Sequence, residues 1–286
     1  MKIAKRLIII ALTLAAILAA GGFLAAQFGF FSGGTNAPSV PEDMMTRGLV
    51  GYWEFDEGTG QIAYNAANTG SVNDGTLGST TNSDANDPTW GKGKNGGALS
   101  FDGVDDYVEI ADNDDLDIPI QTDGKITMEA WVYPYDLSHE NGIVSKRSNY
   151  RMVLRAGGEL KFQTFGWTGA GESINENQWS YIVITYDGEI DELKFYINGE
   201  NVRTVSWIPN GGMNGNTLQI GEGHDLSTSF NGLIDQVRIY NRALSAEEVK
   251  YHYNRGGPVA SWNFDEGSGT VIHDSSGNGF DGTLNE

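Results

Sequence analysis

The chain has 286 residues, of which 38 are acidic and 18 are basic, so its formal net charge is −20. An acidic surface repels phosphates, which excludes nucleic acid as an expected partner. The charge is compatible with a divalent cation, a neutral sugar or a basic partner, and also with the simpler alternative that it only keeps the protein soluble. Because the chain has no cysteine, disulfides, thiol nucleophiles and zinc–thiolate sites are excluded.

The N-terminus begins with basic residues that are followed by a long apolar segment. Residues 7–31 contain only two polar side chains, Thr13 and Gln27. About 20 apolar residues span a bilayer core, so residues 1–31 predict a helical, uncleaved signal anchor. The pair Gly21-Gly22 leaves open a cleaved signal peptide instead. Both alternatives place the remainder outside the cytoplasm, secreted or held at the cell surface by the membrane.

Residues 32–47 are rich in small and turn-forming side chains, which is typical of a linker. From residue 48 to residue 255, short apolar runs alternate with turn signals, most clearly at 49–55, 126–133, 179–186 and 233–240. About a dozen such runs without intervening helices predict an all-β fold, an antiparallel two-sheet sandwich or jelly roll. The run 179–186 is apolar on both faces and is therefore expected to be a central strand.

Two local signals refine this prediction. Asn198-Gly199 separates two strand-like runs and predicts a type I′ hairpin turn, which needs positive φ at both central residues. Further along the chain, Ser245 is followed three residues later by Glu248, the spacing of a capping box. We expect one short helix there, packed at the periphery of the sandwich.

The beginning of this domain is repeated near the end of the chain. "WEFDEGTG" starts at Trp53, and "WNFDEGSG" starts 209 positions later at Trp262. "NDGTL" at 73–77 likewise corresponds to "FDGTL" at 280–284. Residues 256–286 are therefore interpreted as the start of a second, truncated repeat. An alternative is an orphan strand that inserts into a neighbouring subunit, as donor strands do.

Several motifs of the main domain carry a family resemblance: "GLVGYWEFDEGTG", "ALSFDGVDDYVEI", "ITMEAWVYP", "WSYIVITYDG", "LKFYINGE", "LQIGEG" and "FNGLIDQVRIYNRALSAEEV". In order and spacing they resemble the LamG-like, concanavalin A-like lectin/glucanase family, which includes laminin G-type and pentraxin domains. The resemblance covers residues 48–255 in full and 258–286 as a beginning. It implies a two-sheet antiparallel jelly roll, a fold that hosts lectins, adhesins, glycosidases and spacers.

Candidate catalytic carboxylates occur in "EIDEL", where Glu189 and Asp191 would share a face of a strand. A retaining glycosidase needs two carboxyl groups roughly 5–5.5 Å apart. The segment follows Asp187-Gly188, however, so it is expected to lie in an exposed turn. None of the four histidines belongs to a recognised catalytic motif. We therefore expect no enzyme activity.

Calcium is expected as a structural cofactor at acidic positions. The alternation of "LIDQVRIY" predicts that Asp235 shares a core-facing side with Val237 and Ile239, and a buried carboxylate must be hydrogen-bonded, paired or metal-bound. The functional alternative is a calcium ion that joins the first and last strands, with Asp56 or Glu57 as a further ligand.

A second candidate calcium site is the turn "FDGVDDYVEI", with Asp102, Asp105 and Asp106. For both acidic sites the simpler interpretation is local hydrogen bonding without a metal. The resemblance to pentraxins implies a third site, in which Asn149 and Asp225 match ligand positions while Ser148 replaces an expected aspartate.

For a sugar ligand, the candidate stacking residues are Trp167 and Trp207, which lie in glycine- or proline-containing segments outside the predicted strands. We expect a non-catalytic binding or adhesion module, calcium-assisted, that binds a glycan or an extracellular protein. One alternative is a structural spacer of tandem jelly rolls. The other is a glycan hydrolase or its accessory module.

Overall fold

The computed structural model describes residues 45–67, 73–120, 122–164, 166–207, 215–222, 228–254, 262–273 and 281–284. The predicted anchor or signal peptide over 1–31 and most of the predicted linker lie outside these ranges. In the part of the chain that is described, no helix combines the length and apolarity needed to cross a bilayer.

One of the two antiparallel sheets, sheet A, contains the longest strands. They are β1 (Leu49–Trp53), β4 (Thr89–Asn95), β5 (Gly97–Asp102), β7 (Lys125–Pro134), β12 (Ser180–Asp187), β13 (Glu192–Ile197), β14 (Glu200–Ser206) and β16 (Asn231–Tyr240). Their order is β14-β13-β12-β7-β16-β5-β4. Strand β16 pairs with β7 along one edge, and along the other with β5 and then β1.

Sheet B also has eight strands. They are β2 (Ile62–Ala63), β3 (Gly75–Leu77), β6 (Val108–Ile110), β8 (Asn141–Lys146), β9 (Tyr150–Leu154), β10 (Glu159–Gln163), β11 (Trp167–Ser173) and β15 (Leu218–Ile220), in the order β11-β10-β9-β8-β15-β6-β3-β2. A 3-10 turn spans Asp114–Leu116 and helix α1 spans Ala246–Tyr253. Strands β17 (Val271–Ile272) and β18 (Gly282–Thr283) pair with each other.

The main hydrophobic core lies between the two sheets. Alternate residues of each strand point into it, for example Ile126, Met128, Ala130 and Val132 of β7, all fully buried. The predicted all-β, two-sheet sandwich is thus confirmed. The central position expected for 179–186 is also confirmed, since β12 pairs with β13 on one side and β7 on the other.

Helix α1 covers the outer face of sheet A. Its predicted capping box is present: the Ser245 side chain accepts from the backbone N–H of Glu248, and the Glu248 side chain accepts from that of Ser245. The Tyr253 ring stacks on Trp131 of β7 with ring centroids 5.5 Å apart. The short peripheral helix expected from the sequence is therefore confirmed, and it closes a second apolar cluster on that face.

A buried charge network lies beneath this helix. Glu129 Oε1 accepts from Arg238 Nη1 at 3.1 Å, and Glu129 Oε2 lies 2.9 Å from His252 Nδ1. All three side chains are almost fully buried. The network links β7, β16 and α1, so it fixes the helix on the sheet.

A β-bulge in β16 changes the predicted environment of Asp235. Gln236 adopts a positive φ of 50°, and the register with β7 shifts between Asp235 and Arg238. Val237 and Ile239 remain in the core, but Asp235 pairs across the strands with Trp131 and shares the outer face with it. The alternation that placed Asp235 with Val237 was therefore wrong, because the bulge reverses the faces.

Strands β4 and β11 were not predicted. Strand β4 has the polar sequence "TWGKGKN", and β11 has the glycine-rich sequence "WTGAGES", so neither shows an apolar alternation. Trp167 is consequently the first residue of a strand, and the expectation that it lies outside one was wrong. By contrast, Asn198 and Gly199 both have positive φ, as the hairpin prediction required.

The repeated sequence also repeats its local structure. Ile62 pairs with Thr76 in the first copy, and Val271 pairs with Thr283 in the second. Phe55 and Phe264, which are equivalent in the repeat, share the same unusual φ of 59°. Phe55 is fully buried in the core, however, whereas Phe264 is 55% exposed. That residues 256–286 begin a second domain stays a prediction.

Candidate ligand-binding surface

The outer face of sheet B carries one continuous row of aligned side chains. Cross-strand pairing connects Ile62, Thr76, Glu109, Gln219, Ser145, Arg151, Gln163 and Trp167, one from each strand. Paired residues share a face, and the neighbouring Val144 and Met152 point into the core, so this row points away from it. We call these eight residues the polar row.

Two polar atoms of the row are shielded from solvent and lack a hydrogen-bond partner among the described residues. They are Ser145 Oγ and Gln219 Oε1. Arg151 Nη1 donates to Gln163 Oε1, and Arg151 Nη2 lies 3.6 Å from Glu140 Oε1. Amides, hydroxyls and guanidinium groups in one row can form hydrogen bonds with the hydroxyl groups of a sugar.

The row ends at an exposed tryptophan. Trp167 is 39% exposed, and the guanidinium carbons of Arg155 and Arg151 lie 5.2 and 5.9 Å from its ring centroid. Such contacts hold an aromatic ring in place by cation–π attraction. Beside the ring is a recess of about 400 Å³ lined by Arg155, Ala156, Glu159, Lys161 and Trp167.

The surroundings of Trp167 are unusually basic for a chain of net charge −20. Arg155 pairs with Glu140 at 3.0 Å, and Lys161 pairs with Glu159 at 2.8 Å. Arg203 Nη1 donates to the carbonyl of Gly169 in β11 at 2.7 Å. The recess therefore combines an aromatic face with fixed hydrogen-bond donors, the composition typical of ligand sites.

Trp207 lies close in space to Gly166, the residue before Trp167, but its environment differs from that of Trp167. The Trp207 ring packs against the main core. A Cβ atom added to Gly166 would lie 3.1 Å from Cη2 of this ring. Gly166 directly precedes Trp167 in the sequence. The structure thus brings both predicted tryptophans to one end of the sandwich, but only Trp167 presents its ring to solvent.

The site implied by pentraxins is only partly described. Asn149 is buried, and its Nδ2 donates to the carbonyl of Ile118 at 3.2 Å. Close in sequence, the fully buried Lys146 places its Nζ 2.7 Å from Asp112 Oδ1 and 3.0 Å from Asp117 Oδ1. Asp225 lies outside the described residues. The role of Asn149 and Asp225 in binding an ion or ligand stays a prediction.

The three acids of the 102–106 turn are close together. One carboxylate oxygen from each of Asp102, Asp105 and Asp106 lies within 4.8 Å of the others. The turn also contains an internal hydrogen bond, in which Asp106 Oδ2 accepts from the Asp102 N–H at 2.8 Å. Burial raises the pKa of Asp106 to about 6, against the opposing effect of that hydrogen bond. Calcium at this turn stays a prediction.

The two remaining metal candidates, Asp56 and Asp235, meet at the β4–β5 hairpin. Asp56 Oδ1 accepts from the Gly97 N–H at 2.5 Å, and Asp235 Oδ2 accepts from the Asn95 N–H at 2.9 Å. A backbone partner for Asp235 was the simpler interpretation of the sequence. Asn95 was not predicted as part of this site, because nothing in its local sequence indicates that the hairpin folds over β16.

The carboxylates considered for catalysis lie in a turn rather than on a strand. Glu189 and Asp191 lie in the turn between β12 and β13, and Asp191 has a positive φ of 53°. The Glu189 side chain is exposed, and its Oε2 accepts from Lys125 Nζ at 2.8 Å. The exposed turn expected from the sequence is what the structure contains.

Most of the polar row was not predicted from the sequence. Within "VEI", "YRMVL", "ELKFQ" and "LQI", alternation alone places Glu109, Arg151, Gln163 and Gln219 on the outer face. The order and register of eight strands were needed to show that these residues form one row.

Comparisons with known proteins agree with this architecture. Domain 4 of the extracellular GH43 arabinanase AbnA from Geobacillus stearothermophilus, in complex with arabinotriose, aligns over 71% of this chain and 96% of its own length (21% identity, TM-score 0.54). The binding domain of Paraclostridial Mosquitocidal Protein 1 aligns over 77% of this chain and 55% of its own (17% identity, TM-score 0.57).

A further similar structure is the binding domain of botulinum neurotoxin DC in complex with rat synaptotagmin II. It aligns over 82% of this chain and 55% of its own length, with 13% identity and a TM-score of 0.55. The chain thus spans about half the length of these toxin domains. No curated protein matches the chain. The family model of the concanavalin A-like lectin/glucanases matches residues 102–250, more than half of the sequence, and the chain belongs to this superfamily.

Proposed function

We propose that this protein is a non-catalytic binding module that acts outside the cytoplasm and recognises a glycan on the outer face of sheet B, around Trp167. The observation that carries the proposal is the polar row, which ends in an exposed tryptophan held by two arginines. A tryptophan face can pack against the C–H surface of a sugar ring, while the row supplies hydrogen bonds to hydroxyl groups.

The similar structures support a binding role. Domain 4 of the arabinanase carries arabinotriose, so a short arabinan is the first glycan to test. The arrangement of Glu189 and Asp191 supports a non-catalytic module, because these side chains lie in an exposed turn rather than a cleft. The apolar N-terminal segment supports a location outside the cytoplasm.

Replacing Trp167 with alanine is expected to weaken glycan binding by about 30-fold, since tryptophans at the centre of binding sites often contribute about 2 kcal/mol or more. Binding would be measured by calorimetry with arabinotriose and with a panel of neutral polysaccharides. Tyr64→Ala is a matched control, because Tyr64 is 60% exposed and follows β2, at the opposite edge of sheet B.

The proposal requires that Tyr64→Ala binds like the unmodified chain and that Trp167→Ala keeps its melting temperature. Equal affinity in all three proteins would place the ligand elsewhere. A folded chain that binds no member of the panel would contradict glycan recognition and favour a protein ligand or a spacer.

A further inference from the structure

A second recess, of about 450 Å³, lies at the edge of the sandwich beside β2, β3 and β4. In sheet B, β2 and β3 lie at the end opposite to β11, the strand that carries Trp167. This recess is therefore separate from the proposed glycan site, and its ligand can be considered independently.

Asp87 places an unsatisfied carboxylate oxygen in this recess. The residue is only 8% exposed, and its Oδ2 accepts from the Asp84 N–H at 2.7 Å. Its Oδ1 is buried and has no hydrogen-bond partner among the described residues. A Cβ on Gly78, which has a positive φ of 65°, would overlap this oxygen, so glycine leaves the space that the carboxylate occupies. A buried carboxylate is costly unless a hydrogen-bond donor or a cation lies beside it.

Gln61 provides a second acceptor in the same recess. Its Oε1 is also buried, and it has no hydrogen-bond partner in the described part of the chain. An amide oxygen and a carboxylate oxygen both require a donor, and a carboxylate forms its strongest hydrogen bonds with a positively charged one. The complementary ligand is therefore a cation that donates several hydrogen bonds.

The recess also has apolar walls, formed by Leu77, Pro88 and Trp90. Trp90 Nε1 donates to the Gly60 carbonyl at 2.9 Å, which fixes the plane of the indole ring. A hydrated metal ion would leave these carbon surfaces unused, whereas a cation on an aliphatic stem can pack against them. An arginine side chain fits best, because its planar guanidinium group has five N–H donors and stacks on aromatic rings.

The surroundings of the recess carry uncompensated negative charge. The charges of Asp102, Asp105 and Asp87 raise the pKa of Asp106 after the larger effect of burial, so Asp87 lies near the 102–106 turn. Neither these four acids nor Asp84 forms an ion pair with a described lysine, arginine or histidine. This edge of the sandwich therefore attracts a basic partner.

We propose that this recess binds an arginine side chain of a basic partner protein. The guanidinium group donates to Asp87 Oδ1 and Gln61 Oε1, and its stem packs along Trp90. Neighbouring basic residues of the partner face the acidic 102–106 turn. This binding does not depend on the glycan site, so either proposal can fail alone.

The test uses the full chain and a fluorescent peptide in which arginines alternate with glycines, with binding measured by fluorescence anisotropy. A matched peptide carries citrulline, which has nearly the same shape as arginine but no charge, in place of each arginine. We expect the arginine peptide to bind at least about tenfold more tightly, since hydrogen bonds to charged groups are about twice as strong as neutral ones. Trp167→Ala is expected to bind the peptide as the unmodified chain does.

Asp87→Asn, which keeps the size of the side chain, is expected to weaken binding of the arginine peptide by about tenfold. Glu189→Gln is the control, because it removes the same charge from an exposed turn beside β12 and β13, far along sheet A from β4. This control should keep its affinity. Gln61→Met removes the second acceptor without changing the charge, and it should weaken binding severalfold even if Asp87→Asn folds poorly.

The proposal is overturned if the arginine and citrulline peptides bind equally, or if folded Asp87→Asn and Gln61→Met both bind like the unmodified chain. Equal weakening in Asp87→Asn and Glu189→Gln would reduce the effect to net charge and also overturn it. Loss of calcium binding in Asp87→Asn, with peptide binding unchanged, would assign the recess to a metal ion instead.

Discussion

Replacing Glu129 with glutamine is expected to lower the free energy of unfolding by about 3–5 kcal/mol, the usual cost of breaking a buried ion pair from one side. The substitution leaves the Arg238 guanidinium buried without its carboxylate and removes the charge partner of His252. Helix α1 then loses its polar attachment to β7. Chemical denaturation monitored by tryptophan fluorescence measures the loss.

Glu192→Gln is the matched control. Glu192 pairs with Lys194 at 2.5 Å on β13, but both side chains are about one-third exposed. Exposed pairs contribute about 0–1 kcal/mol, so this variant should unfold nearly as the unmodified chain does. If Glu129→Gln and Glu192→Gln lowered the free energy of unfolding equally, the buried network would contribute no more to stability than the exposed ion pair.

The same network predicts a pH dependence. Burial alone would raise the pKa of Glu129, but the charge and hydrogen bond of His252, together with Arg238, outweigh burial and lower the pKa to about 2. Because the pKa of Glu129 is lower in the folded protein than in the unfolded chain, ionised Glu129 stabilises the fold fully above the unfolded-state pKa near 4.5. This stabilisation is lost as the pH falls towards 2. Between pH 4.5 and 2, the unfolding free energy of Glu129→Gln should therefore fall less steeply than that of the unmodified chain.

The second large effect is expected from the repeated motif. Phe55→Ala should destabilise the domain by about 3–5 kcal/mol, the range for removing a phenylalanine from a packed core. Phe264→Ala changes the equivalent residue, with the same φ of 59°, at a position that is 55% exposed. We expect it to change the unfolding free energy by less than about 0.5 kcal/mol.

Because both residues share sequence context and backbone conformation, the difference between the variants isolates the contribution of packing. Thermal unfolding monitored by circular dichroism provides the comparison. If Phe264→Ala were as destabilising as Phe55→Ala, the second copy would have to bury its aromatic side chain, contrary to its exposure in the structure.

The parts of the fold that the sequence predicts depend on local chemistry. The capping box of α1 needs only Ser245 and Glu248, and the hairpin turn needs only Asn198 and Gly199. The apolar run of β12 likewise identifies a central strand without knowledge of its neighbours.

What could not be predicted depends on pairing between distant segments. The bulge at Gln236 reverses the faces of β16, and glutamine gives no sign of it in the sequence. Strands β4 and β11 are held by their neighbours rather than by their own apolar residues. The candidate site shows the same division between local and long-range information. Trp167 was predicted as a stacking residue from its local sequence, whereas the polar row beside it depends on the register of eight strands.

The pairing of β16 has a consequence for how the chain acquires its structure. Leu49 in β1 pairs with Tyr240 in β16, so the pairing of β1 forms only after β16 has been synthesised. Contacts between residues so far apart in sequence slow folding, because the entropy of closing a long loop is lost before these contacts form. During synthesis, β1 therefore completes its ladder only after β16 has left the ribosome, and a nascent chain that stops before residue 231 lacks the strand with which β1 forms that ladder.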